Sequence, residues 1–175
     1  MSDYGEVIGP LAVRFERVLP GPIERVWRYL TESDLRETWF AAGPMEPKVG
    51  GAMALYFQHQ NLTDHGEPVP EKYKAMVKGP IESTGTITVW DPPRHLAFVW
   101  HPNSEVSFEL SPKGKDVLLR LTHRKLASRG EMVDVCGGWH AHLGVLTERL
   151  TGRRPAPFWP RIAEAEREYE ARIPK

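Results

Sequence analysis

The sequence predicts an α+β fold in which one long helix near the C-terminus packs across one face of a curved antiparallel sheet. Three observations predict it. Residues 128–152 read as one helix with both ends marked. Residues 52–59 and much of 85–124 change to a period of two, interrupted by short turn-forming separators. The order is also segregated: a strand, two short helices, hairpin-linked strands, then the long helix.

Residues 11–19 fit a first strand carrying Val13, Phe15 and Val18, although the alternation is imperfect. Gly21-Pro22 ends it, and Pro22 suits the first position of a helix, where its missing donor costs nothing. Ile23, Val26, Trp27 and Leu30 follow at helical spacing. Thr31 and Asp34 are candidate caps for a second short helix carrying Leu35 and Trp39. Gly43-Pro44 and Gly50-Gly51 mark turns. From Ala52 onwards Met53, Leu55, Phe57 and His59 point one way, and Ala54, Tyr56 and Gln58 the other. Residues 61–78 are polar and aperiodic, too long for a tight hairpin. Strand signals resume over 85–90, 95–101, 105–110 and 117–124, and their short separators make them an antiparallel meander.

The long helix begins at a capping box, Ser128 with Glu131, and ends with Arg149, Gly152 and Pro155 in the expected stop positions. Met132, Val135, Trp139, Leu143, Leu146 and Leu150 recur at three- and four-residue steps, forming an apolar stripe. Beside it lies a small face of Gly137, Ala141 and Gly144. Each glycine weakens a helix by roughly 1 kcal/mol relative to alanine, so close approach to the sheet or room for a ligand is expected to compensate. A last helix spans 158–173. Its thin stripe of Ile162, Ala165, Tyr169 and Ile173 fits a solvated helix docked on the body better than a homodimer contact.

At 175 residues the chain is long enough to bury a real core as one domain. Lys+Arg and Asp+Glu both number 23, so no basic excess draws it to nucleic acid or to an anionic membrane. No apolar run approaches the roughly 20 residues of a membrane span, and no signal segment is evident at the N-terminus. The single Cys136 forbids an internal disulfide. A cytoplasmic protein without membrane insertion is expected. No phosphate-binding loop or dinucleotide fingerprint occurs, and Val49-Gly50-Gly51 lacks the following helix such motifs need, so no cofactor is expected.

Four signatures then carry a family resemblance. They are Pro22-Ile23-Glu24-Arg25-Val26-Trp27 with Leu30-Thr31-Glu32 and Trp39-Phe40; Val49-Gly50-Gly51-Ala52-Met53; the run from Gly85 through Trp90-Asp91-Pro92-Pro93-Arg94-His95-Leu96 to Trp100; and Leu119-Arg120-Leu121-Thr122-His123 followed by Gly138-Trp139 and Leu143, Leu146 and Leu150. The chain resembles a single-domain bacterial member of the Hsp90 ATPase activator homologue family, within the START-like (helix-grip) superfamily. The resemblance covers roughly residues 13–152. It implies a sheet wrapped around the long helix, two short helices after the first strand, and an apolar cavity between sheet and helix. The loop 61–78 and the tail after Gly152 depart from the pattern. On this reading residues 11–152 form a helix-grip ligand-binding domain and 153–175 an extension with an additional helix.

Such a cavity would be lined by the helix stripe and one face of each strand. The candidates are Trp39, Met53, Leu55, Phe57, His59, Phe98, Trp100, Phe108, His123, Trp139, His140 and Leu143. The same residues could simply fill a core. For the aliphatics that reading prevails, whereas large aromatics and histidines are costly filler. No metal site is expected, because His140 and His142 do not share a helical face and no cysteine cluster accompanies them. No catalytic residue is assigned, since Cys136 reads as buried filler and Ser128 as a cap.

The leading expectation is a non-catalytic binder of a small hydrophobic or aromatic molecule. The resemblance adds a second, an Hsp90-type chaperone regulator acting through its surface. A third is a cyclase- or hydrolase-type enzyme using His123 or His140 beside the cavity, accompanied by a carboxylate or tyrosine. His123 near His140 could act as acid and base, although a hydrogen-bonded structural role is the favoured reading of such histidines.

Overall fold

Seven strands make one sheet: β1 (Glu6–Gly9), β2 (Ala12–Pro20), β3 (Ala52–Phe57), β4 (Ile81–Asp91), β5 (His95–Trp100), β6 (Ser104–Lys113) and β7 (Asp116–Arg124). In this computed structural model, which describes residues 2–175, their order is β1-β2-β7-β6-β5-β4-β3, antiparallel throughout. Helices α1 (Ile23–Thr31) and α2 (Ser33–Glu37) follow β2, and α3 (Arg129–Leu150) and α4 (Phe158–Arg172) end the chain. The α+β helix-grip fold is therefore the fold of this protein, with β4 to β7 as the expected meander, β3 added at the β4 edge, and β2 closing on β7 from Val13↔His123 to Pro20↔Asp116. Strand β1 has no counterpart in the sequence reading. Its four residues are half-buried or exposed, so no alternation marks it. Strand β4 starts at Ile81, before the expected Gly85, because its polar first residues pair with β3 at an edge where burial imposes no pattern.

The short helices differ in their caps. Pro22 precedes α1 as its N-cap, and α2 has no side-chain cap. The Thr31 hydroxyl instead donates to the Trp27 carbonyl at 2.9 Å, and Trp39 falls beyond the end of α2. Arg36 organises the segment between α2 and β3. Its guanidinium is 2% exposed and donates to the carbonyls of Thr31 (3.0 Å), Ala41 (3.0 Å) and Gly43 (2.6 Å), with a longer bond to Leu30 (3.4 Å). Gly43 is required there: its φ is +124°, and a Cβ would meet the Ala54 carbonyl oxygen at 2.1 Å.

Helix α3 starts as read, with Ser128 Oγ accepting from the Glu131 amide at 3.1 Å. The Glu131 carboxylate, however, reaches the Ala127 amide rather than that of Ser128. Gly152 takes the left-handed stop, with φ of +72°. The small face serves neither expected purpose. A Cβ on Gly137 would lie 2.5 Å from Glu166 Cγ, and one on Gly144 would lie 2.1 Å from Arg161 Nη1, so these glycines seat α4. Helix α4 buries Phe158, Trp159, Ile162, Ala165 and Tyr169 in the same apolar core as the sheet. Arg129 on α3 fastens its end by binding the Glu170 carboxylate at 2.7 Å and the carbonyls of Glu170, Ile173 and Pro174. The polar loop is likewise ordered by two 3-10 turns, His59–Asn61 and Glu71–Val77. Lys72 bridges Asp134 of α3 and Glu166 of α4, and Tyr73 Oη also bonds Glu166. Among the described residues, no helix is long and apolar enough to cross a membrane.

Arg36→Met removes every donor from a buried cluster of carbonyls, each of which costs about 1–3 kcal/mol when left unsatisfied. The expected result is a loss of at least about 3 kcal/mol in urea unfolding, with the far-ultraviolet circular dichroism of the remaining folded fraction unchanged.

Candidate functional site

A cavity of about 290 Å³ lies between α3 and the sheet. Its aromatic walls are Phe40, Phe57, Trp100 and Trp139, with Phe40 stacked on Trp139 at 5.0 Å and Phe57 meeting Phe40 edge-on at 5.0 Å. Val135, Gly138, Trp139 and His142 enter from α3, Ile162 from α4, and Tyr73 and Met76 from the 3-10 turn. The docked turn and α4 thus complete one side of the cavity.

Three histidines supply most of the polarity, and their hydrogen bonds fix two tautomers. Trp139 Nε1–H donates to His123 Nδ1 at 3.0 Å. An indole only donates, so Nδ1 is bare and the proton sits on Nε2, a buried atom with no partner. His142 is the opposite case. Its Nδ1 lies 2.8 Å from the Trp39 carbonyl, which only accepts, so Nδ1 carries the proton and Nε2 presents a lone pair. His59 stacks on Phe57 at 5.3 Å, and its Nδ1 is buried and unpartnered. Burial drives the pKa of His59 and His123 down to about 4. It drives His142 to about 3, with His59 adding to the effect. All three are neutral at pH 7, so the cavity is a largely uncharged aromatic box with a donor at His123 and an acceptor at His142. The one flanking charge, Asp134, is held by Lys72.

Of the twelve residues expected from the sequence, Phe57, His59, Trp100, His123 and Trp139 line this cavity. Trp39, Met53, Leu55, Phe98, Phe108 and Leu143 are no more than 4% exposed and fill the apolar core beside it. The Trp39 indole donates to the Tyr29 carbonyl at 2.8 Å, away from any ligand. His140 corrects the expected pairing with His123. It stacks on Tyr4 at 4.8 Å and lines a separate pocket with Arg17 and Arg161, because one residue of helix rotates it about 100° from Trp139. The sequence reading missed Phe40, Tyr73, Met76, Gly138, Ile162 and His142 as cavity residues, and reached Val135 only as a member of the helix stripe. Val135, Gly138, Trp139 and His142 are spaced i, i+3, i+4, i+7, a helical stripe that could have found His142.

Cys136 is buried and its thiol is pushed up to about 12 by desolvation, which leaves no thiolate for nucleophilic chemistry. Among the described residues, no group of three His, Cys, Asp or Glu side chains could hold a metal ion.

Residues 20–151 match the family described as Activator of Hsp90 ATPase homolog 1-like protein. Similar solved structures include a protein encoded by gene BPP1335 from Bordetella parapertussis, 44% identical, covering 99% of this chain and 92% of that one with a TM-score of 0.83. CalU16 from Micromonospora echinospora is 26% identical over 91% of this chain and 86% of its own, with a TM-score of 0.67. EF2215 from Enterococcus faecalis, a conserved protein of unknown function, is 19% identical over 93% and 84% with a TM-score of 0.66, a likeness of fold. No curated protein shows significant similarity.

The lowered histidine pKa values set a pH dependence. The unfolded chain takes up these protons near the ordinary 6.5 and the folded chain only near 4, so unfolding is favoured as pH falls through this window. Stability measured by urea unfolding is expected to fall between pH 7 and pH 5 by about 2 kcal/mol for each such histidine. In His123→Asn, whose amide oxygen can still accept from Trp139, the profile is expected to flatten by about one histidine's share. An unchanged slope in that variant would contradict the assignment.

Proposed function

The chain belongs to the Activator of Hsp90 ATPase homolog 1-like protein family, and from that premise we propose that it binds a small apolar or aromatic molecule, without catalysis, in the cavity between the sheet and α3. The observation that carries this reading is the uncharged aromatic box itself, about 290 Å³ with an unpartnered His123 Nε2–H in its wall. Burying a ligand's apolar surface contributes roughly 25 cal/mol per Å², and a ligand oxygen accepting from His123 would set its orientation. Pockets of this composition suit binding with few placed polar groups.

The geometry supports acid–base catalysis less well. A general base works best with a pKa near the operating pH, and histidines held near 4 are weak bases. An acid–base pair of His123 and His140 is also not assembled, since His140 faces another pocket. Regulation of an Hsp90-type chaperone rests on the family name and on no particular surface feature of this chain.

Native mass spectrometry of the purified full chain tests for a retained small molecule, and fluorescence titration with 2-naphthol tests the pocket directly. Saturable one-to-one quenching of the cavity tryptophans is expected, with naphthalene binding about tenfold more weakly because it lacks the oxygen. No atom approaches within 4 Å of a Cβ at Gly138, so Gly138→Leu can fill the cavity without a clash at its root. It is expected to weaken 2-naphthol by at least about tenfold while unfolding within about 1 kcal/mol of the parent. Full-strength binding in that variant would sink the proposal.

A further inference from the structure

On the other side of α3, a second pocket of about 390 Å³ lies at the junction of β2, α3 and α4, and its character is polar. Its origin is legible in strand β2. Val13, Phe15 and Leu19 alternate inward and are fully buried, and the next position in that series is Arg17. The strand period therefore turns a guanidinium towards the helix layer, where it is 6% exposed and its Cζ lies 6.0 Å from the Phe15 ring centre.

Arg17 is poorly satisfied there. Its hydrogen bond is from Nη1 to the carbonyl of its own neighbour Glu16, at 2.8 Å. Among the described residues no carboxylate lies within ion-pairing distance of it. Arg161 reaches the same pocket from α4. One of its nitrogens pairs with Glu148 at 2.5 Å, while Nη1 is buried without a partner. Gly144 makes that placement possible, because any Cβ there would strike Arg161 Nη1. His140 completes the group with a buried, unpartnered Nδ1. Guanidinium nitrogens left unpaired by burial are costly, and here two incompletely paired arginines and an imidazole share one unfilled space.

We propose that this pocket binds a small carboxylate, gripped by Arg17 and Arg161 with His140 beside them. Guanidinium forks match a carboxylate's two oxygens. The charge balance selects a monoanion: Arg17, Arg153 and Arg161 face Asp3 and Glu148 around the pocket, leaving one net positive charge with His140 neutral. A dianion such as phosphate would bring surplus charge against Asp3 and Glu148. The pocket's volume leaves room for a small body behind the carboxylate. This site owes nothing to occupancy of the aromatic cavity, so either can fail alone.

The test is titration of the 15N-labelled full chain with sodium acetate at constant ionic strength. It is followed at the arginine Nε–Hε and histidine ring signals. Saturable shifts are expected at Arg17, Arg161 and His140. Acetamide is expected to give none, and inorganic phosphate to bind about tenfold more weakly. Arg17→Met replaces the inward guanidinium by an apolar chain suited to its position. It is expected to keep the backbone spectrum and lose acetate affinity by about tenfold or more. Arg161→Gln provides the same readout should Arg17→Met fail to fold. Gly138→Leu, in the aromatic cavity, is expected to bind acetate as the parent does. Absence of saturation, equal shifts with acetamide, tighter binding of phosphate, or full affinity in the arginine variants would overturn the proposal.

Discussion

The hydrogen bond from Trp139 to His123 fixes the rotation of α3 against the sheet, and the remaining features of the interior depend on that angle. Trp139 carries the bulkiest side chain of the helix and His123 sits on the innermost register of β7 with Val13 and Val106. Both are buried, so an indole N–H without this acceptor would be stranded at a cost of about 1–3 kcal/mol. Trp100 stacks on His123 at 5.9 Å and Phe40 on Trp139 at 5.0 Å, which locks both rings from their outer faces. With Trp139 so placed, residues 135, 138 and 142 turn to the aromatic cavity, 137 and 144 to α4, and 140 to the polar pocket beneath Arg17. A helix that meets partners on three sides has no single apolar face, and its residues are correspondingly mixed.

That arrangement also explains why histidines, and not charged residues, supply the cavity's polarity. In a water-poor space a charge requires a partner, whereas a neutral imidazole requires one hydrogen bond and keeps one nitrogen free. His123 and His142 each spend Nδ1 on the protein but in opposite senses, His123 accepting from Trp139 and His142 donating to the Trp39 carbonyl. The two free nitrogens therefore differ in sense. A charge on His59 would oppose one on His142, which adds to burial in holding down the pKa of His142.

The fold was legible because its signals are local. Period two marked Met53, Leu55 and Phe57 as one face, proline- and lysine-rich separators marked the hairpins, and Ser128 with Gly152 bounded the long helix. The cavity was legible only in part, because alternation separates inside from outside but not lined from filled. Leu55 and Phe57 share a face, yet Phe57 borders space and Leu55 is packed solid. Phe40 and Tyr73 come from segments with no period at all: Phe40 is placed by the Arg36 bonds to Ala41 and Gly43, which no periodicity signals, and Tyr73 by Glu166, a tertiary contact no window of sequence contains. Arg17 was different. Its inward register could be read from Val13, Phe15 and Leu19, and a charge at that step of the pattern was a signal in plain view.

The glycines of α3 separate packing from space. Each weakens the helix by roughly 1 kcal/mol against alanine, but the compensation differs along the helix. At Gly137 the stem of Glu166 occupies the position of the absent Cβ, and from there its carboxylate binds Lys72 and Tyr73. At Gly144 the Arg161 guanidinium does the same. Those two glycines are offset by the docking of α4. Gly138 faces the aromatic cavity with no atom within 4 Å of its missing Cβ, so no packing contact offsets its cost. What the residue contributes is the open volume beside Trp139, and a side chain there would have improved both helix propensity and packing. This asymmetry between neighbouring glycines adds an energetic argument to the aromatic box, since aromatic residues also fill cores that hold nothing.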